Sequence, residues 1–140
     1  MVIFSISQVD PEERISRFIF NPRHFNPTTN HITPQAFKPA NPKPPDRPER
    51  QTSVYRTENC DDSEIWTLGD DYVTNRHPDR LPVLARGDLK AEKVIEEALQ
   101  IDPDPNPHYR HANIVNWPDE PEQRQMMAVN LAQKGRLVVR

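Results

Sequence analysis

The sequence predicts an α+β fold: a small mixed sheet, a C-terminal alternating β-α-β-α-β-α-β run and a long proline-rich loop. Three observations lead there. From residue 53 onward, short β-branched and aromatic runs alternate with segments of helical periodicity. Eight of the 16 prolines crowd between Pro22 and Pro48, where no helix or central strand survives. Finally, 140 residues with 34% apolar and 28% charged content suffice for one modest core. A single domain over residues 1–140 is expected, with residues 22–52 as an extended loop or arm within it.

At the N-terminus, Val2 to Val9 is a strand candidate that would pair with Arg14 to Phe20, which is rich in β-branched and aromatic residues. Asp10-Pro11-Glu12-Glu13 competes as a helix start, so both readings of the first twenty residues stay open. Within the arm, Pro39 to Pro48 is expected to be extended and to make no helix and no central ladder.

Past the arm, Ser53 to Thr57 reads as a strand. Asp61 and Glu64 fit a capping box, followed by Ile65, Leu68 and Tyr72 at helical spacing. Leu81 to Ala85 is a short buried strand candidate, pushed toward a late start by Pro82. Arg86-Gly87-Asp88 then reads as a turn into a helix whose stripe is Ala91, Val94, Ile95, Ala98 and Leu99. Proline at every second position makes Asp102 to Pro107 a rigid connector. Ala112 to Val115 follows as a strand, Asp119 to Lys134 as a helix ended by Gly135, and Leu137 to Val139 as a last strand. This alternation favours parallel pairs, with Val54, Leu84, Ile114 and Val138 on the covered face.

Composition narrows function mainly by exclusion. A net charge of −3, with 13 arginines against five lysines, lacks the basic excess of a nucleic-acid binder. The lone Cys60 excludes a disulfide scaffold, and its acidic neighbours Asp61 and Asp62 make it a poor nucleophile. Residues 1–6 are apolar but too short for a signal-peptide core, and no stretch reaches membrane-spanning length. A cytoplasmic setting with no membrane is expected. Three glycines cannot build a phosphate loop, and no Cys-x-x-Cys pair suggests zinc. No metal and no cofactor are expected.

Histidine is the residue type left to carry chemistry. His108 and His111 stand three apart, but extended backbone would point them to opposite faces. His31-Ile32-Thr33 carries the His-x-Thr spacing of two-histidine phosphoesterases, but the partner triplet His111-Ala112-Asn113 lacks the hydroxyl residue. Tyr55, Arg56, Arg86 and His111 each fall at a predicted strand end, where α/β ligands bind. There Tyr55 could stack on a base, Arg56 or Arg86 could hold an anion, and His111 could transfer a proton as the candidate catalytic residue. The leading expectation is a non-enzymatic accessory protein that meets another protein through its proline-rich surface. The alternative is a small enzyme or binding domain for a nucleotide or phosphate ester, using His111 with Arg56 or Arg86.

Overall fold

The computed structural model describes residues 2–140. Its strands are β1 (Arg14–Ile19), β2 (Phe25–Asn26), β3 (His31–Ile32), β4 (Thr52–Arg56), β5 (Ala85–Lys90), β6 (Gln100–Pro103), β7 (His111–Val115) and β8 (Arg136–Val139). The helices are α1 (Asp62–Gly69), α2 (Ala91–Ile95) and α3 (Pro121–Lys134). Six strands make one sheet in the order β6-β7-β4-β1-β5-β8, and β2 and β3 form a separate hairpin. The class is α+β. Every pairing in the sheet is antiparallel, so the expected parallel pairs do not form. The reason is topological: each helix leads to a strand that is not the neighbour of the one before it, so no local β-α-β crossover closes.

Strand alternation gives the sheet two different faces. On one face Ile15, Ile19, Val54, Ala85, Leu89, Ala112 and Ile114 form the main core with Ala128, Leu131 and Ala132 of α3. Ile32 and Phe37 join them from the proline-rich segment. Gly87 permits this approach, since a Cβ there would lie 2.8 Å from Ile32 Cδ1. The other face carries Phe18 and Tyr55 beneath Ile65 and Leu68 of α1.

Several local expectations meet competing physics. Residues 2–9 form no strand, only an isolated bridge between Ser5 and Gln8. The strand expected at Leu81–Ala85 starts at Ala85 and runs through Arg86-Gly87-Asp88, read from sequence as a turn. Those charges are tolerated inside a strand because Arg86 and Asp88 neutralise each other there. Leu84 and Val138 are consequently only half-buried, and Ala85 and Leu137 face inward instead. The long amphipathic helix shrinks to α2, because Ala98 at φ 63° turns the chain back into β6. Ile95 is therefore 48% exposed rather than core. Pro103 enters the sheet after all, on its edge strand, where a missing donor costs no inner ladder bond.

The Asp61 capping box forms in full: Glu64 N–H donates to Asp61 Oδ1 at 2.8 Å and Asp61 N–H to Glu64 Oε1 at 3.3 Å. After α1 the chain widens into a π turn at Asp70–Thr74. In the proline-rich segment, residues 39–48 contain no helix and pair only through isolated bridges, Lys43 with Arg47 and Ala40 with Gln51. The chain turns back between Lys43 and Arg47 instead of staying extended. Single 3-10 turns form earlier at Pro22–His24 and Pro34–Phe37, each begun by a proline whose missing N–H costs nothing there. Among the described residues, no helix is long and apolar enough to cross a membrane.

Candidate functional site

Ser53 and Tyr55 alternate onto the face of β4 opposite Val54, and their partners on β7 are Asn113 and His111. The pairing of β1 with β4 stops at Ser16 opposite Tyr55. From there the Arg17 guanidinium ties the strands together, with Nη1 donating to the Ser53 carbonyl at 2.9 Å and Nε to the Ala36 carbonyl at 2.8 Å. Its Nη2 has no protein partner among the described residues. Burial lowers the Arg17 pKa to about 10, so the group is still a cation at neutral pH.

Over this floor lies a cavity of about 520 Å³. Ser53 and Tyr55 line its base, and Phe18 and Phe20 come from the end of β1. The π turn and the residues after it supply Tyr72, Val73, Arg76 and His77, while Arg47 arrives from the proline-rich segment. π turns often mark functional positions, and here the widened turn carries one wall. An adjoining hollow of about 330 Å³ shares Arg17, Arg47 and Ser53 and adds His24 and Lys38. No carboxylate lines either space. Among the described residues, Arg17, Arg47 and Arg76 form no ion pair. A second large cavity, of about 580 Å³, differs: Glu12, Glu58 and Asp88 there offset Arg14, Lys90 and Arg136.

His111 sits behind the floor. Its ring centroid is 5.2 Å from that of Tyr55, and only 7% of the residue is exposed. Nε2 lies 2.7 Å from Ser53 Oγ, and Nδ1 lies 3.0 Å from the Asp104 carbonyl oxygen. A carbonyl only accepts, so in the neutral ring Nδ1 carries the hydrogen and Nε2 accepts from the Ser53 hydroxyl. The Asp104 carboxylate is 3.6 Å from Nδ1 and accepts from Asn113 Nδ2 at 3.2 Å. Burial pushes the His111 pKa below its ordinary value, and Asp104 opposes that shift. Burial also raises the Tyr55 pKa to about 12, which keeps its phenol protonated.

Of the four residues singled out from sequence, the fold brings Tyr55 and His111 together and takes Arg56 and Arg86 elsewhere. Arg56 turns to the opposite face of β4, wholly buried, and holds Glu13 through two hydrogen bonds of 2.5 and 3.0 Å. Arg86 lies under α1, bound to Asp88 and Asp62, with its guanidinium 4.6 Å from the Trp66 ring centre. Both arginines are spent on internal carboxylates. His108 packs against Tyr72 and Tyr109 in the turn before β7. Among the described residues, no group of three or more His, Cys, Asp or Glu side chains is placed to hold a metal. Cys60 is buried, and burial leads the rise in its pKa.

Sequence reasoning missed Ser53, Arg17, Arg47, Arg76 and Asp104. One signal was present: Ser53 is two residues from Tyr55, so strand alternation alone places both on one face. No family model, curated protein or solved structure matches the chain.

Proposed function

We propose that the chain binds a small phosphorylated ligand bearing a planar ring, of nucleotide size, in the cavity above Tyr55. One observation carries this reading: three arginines border an aromatic-walled cavity without a carboxylate to satisfy them. Guanidinium groups pair with phosphate oxygens in a planar, often bidentate fashion, and a partly desolvated site strengthens each such bond. Tyr72, Phe20 and His77 offer rings for a base to pack against. Arg56 and Arg86, each paired with carboxylates of the chain, take no part in holding the ligand.

Calorimetric titration with AMP, adenosine and inorganic phosphate tests it. AMP should bind at least about tenfold more tightly than either fragment, and Arg76→Gln should weaken AMP about tenfold. Equal affinity for AMP and adenosine, or no binding of AMP, would remove the reading.

The proline-rich segment supports a second role, as a contact surface for another protein. Residues 41–46 are all exposed, while Ala36 and Phe37 just before them are anchored in the core. A loop closed by reciprocal backbone bonds between Lys43 and Arg47 and held at its base loses little entropy on docking. A lone buried thiol needs no oxidising compartment, which supports a cytoplasmic setting. Replacing Pro42, Pro44 and Pro45 by serine should abolish cross-linking to a partner protein in cell extract and leave AMP binding unchanged. Cross-linking that survives the replacement would remove this role.

A further inference from the structure

We propose that Ser53 is a nucleophile activated by His111, and that the chain hydrolyses a phosphate monoester held by the arginines of the same cavity. The substrate class rests on the ligand-binding reading above, whereas the serine–histidine geometry stands without it.

The arrangement has the three parts that an activated hydroxyl needs. Ser53 Oγ lies 2.7 Å from His111 Nε2, within the reach of a general base. The Asp104 carbonyl fixes the tautomer by accepting from Nδ1 at 3.0 Å, which aims the Nε2 lone pair at the hydroxyl. Ser53 itself borders both hollows, and its side chain leaves β4 on the same face as Tyr55, which lines the larger one. Arg17 is anchored by two carbonyls, one of them that of Ser53, and its free Nη2 needs no reorganisation to meet developing phosphoryl charge. Burial keeps the imidazole neutral near pH 7, the form in which it can accept a proton.

In the first step Ser53 Oγ attacks phosphorus. The Oγ–P bond forms as the bond from phosphorus to the leaving alcohol oxygen breaks. The hydroxyl proton passes to His111 Nε2, and the leaving oxygen, in line on the far side of phosphorus, takes a proton from a solvent water, leaving hydroxide. The hydroxide then attacks the phosphoserine from that far side, protonated His111 returns its proton to Ser53 Oγ as the Oγ–P bond breaks, and inorganic phosphate leaves.

Two probes separate the nucleophile from the binding site. Diisopropyl fluorophosphate is uncharged, so it binds without an ion pair to the arginines. It should modify Ser53, mapped by peptide mass, at least about tenfold faster than any other serine. Labelling should be lost in Ser53→Ala and fall about 100-fold in His111→Gln, with thermal midpoints recorded for each variant. Hydrolysis of 4-nitrophenyl phosphate should fall about 100-fold in both variants, and acid quenching should trap phosphate on Ser53. Arg76→Gln should raise the KM for 4-nitrophenyl phosphate, and should slow diisopropyl fluorophosphate labelling far less than His111→Gln does.

Ser53 labelling no faster than at other serines, or unaffected by His111→Gln, would overturn the nucleophile even if AMP binds. Labelling at Ser53 without 4-nitrophenyl phosphate turnover would overturn the phosphate-ester assignment. Turnover that survives Ser53→Ala would overturn the proposal as a whole. If Ser53 is labelled but AMP fails to bind, the ligand-binding reading has failed while the activated serine stands. If His111→Gln fails to fold, Ser53→Ala and Ser53→Thr decide: the first must be inactive and the second must keep measurable labelling.

Discussion

Ser53 and His111 meet as a diagonal pair across β4 and β7. The register sets Tyr55 opposite His111 and Asn113 opposite Ser53, yet the imidazole leans along the strand to place Nε2 2.7 Å from Ser53 Oγ. Diagonal neighbours on one face lie about 7–8 Å apart at the backbone, close enough for a ring to bridge. Tyr55 keeps the ring in place from the directly opposed position, and Asp104 on the loop after β6 holds its far nitrogen. A one-residue slip of β7 would carry His111 to the core face, so the contact is fixed by the same alternation that builds the core.

The protein should lose stability as pH falls through the histidine range. The His111 pKa is lowered in the fold by burial, and those of His24 and His108 are lowered by burial and by nearby Arg17 and Arg110 respectively. An unfolded histidine takes its proton near pH 6.5, before the folded one does. The unfolded state therefore binds more protons between that pH and the lower folded values, and stability declines across this window as pH falls. Urea midpoints measured from pH 5 to 8 should show the decline, and His111→Gln should make it shallower. An unchanged slope in the variant would mean that His111 is not desolvated as described.

Glu13 should be indispensable while Arg56 is present. The pair is almost wholly buried, and Arg56 reaches no other carboxylate. Glu13→Ala strands a buried guanidinium and should cost about 3–5 kcal/mol in urea denaturation. The double variant Glu13→Leu, Arg56→Met removes both charges and should recover most of that loss. A single-variant cost below about 1 kcal/mol would show that water reaches the pair.

The same ion pair shows why the sequence was legible in some places and opaque in others. Elements governed by local chemistry could be read: the Asp61–Glu64 capping box, the β-branched run of β1, the stop at Gly135 and the lack of helix from Pro39 to Pro48. Arg56 could not, because its partner lies 43 residues away and nothing local distinguishes a buried arginine from a ligand-binding one. The Arg86-Gly87-Asp88 triplet failed for a related reason. Its turn-like composition is overridden by long-range contacts, with Asp62 and Ser16 bonding to its charges. Strand-end position grouped Tyr55 and His111 with Arg56 and Arg86, of which the fold brings only the first two together, and the cationic rim left no such mark. Arg17, Arg47 and Arg76 come from three separate segments that only the tertiary fold brings to one cavity.

The shortness of α2 gives a paired test of packing. Val94 is fully buried and Ile95 is 48% exposed, although the sequence stripe gives them equal standing. Val94→Asp should destabilise by about 3–5 kcal/mol, since the carboxylate would sit unpaired among apolar groups. Ile95→Asp should cost less than about 1 kcal/mol, as exposed substitutions do. Equal costs in urea denaturation would mean that the stripe continues as one helix and that the turn at Ala98 is misplaced.

Asp104 should act on the site through His111, as a positioning residue. Its carbonyl fixes the Nδ1 hydrogen, and its carboxylate, 3.6 Å from Nδ1, favours the protonated ring. Asp104→Asn keeps the carbonyl and removes the charge. The His111 pKa should then move further below its ordinary value, because burial is opposed by one attraction fewer. In 15N-detected titration of the imidazole, the midpoint should shift to lower pH while the Nδ1–H tautomer persists. If His111 is the base for Ser53, the acid limb of 4-nitrophenyl phosphate turnover should shift the same way. The rate on the plateau should fall by less than about tenfold, since a less basic imidazole accepts the proton less readily. A purely structural Asp104 would lower the thermal midpoint and leave both titrations where they were. A shift of the imidazole midpoint to higher pH would reverse the assigned sign and remove Asp104 from the relay.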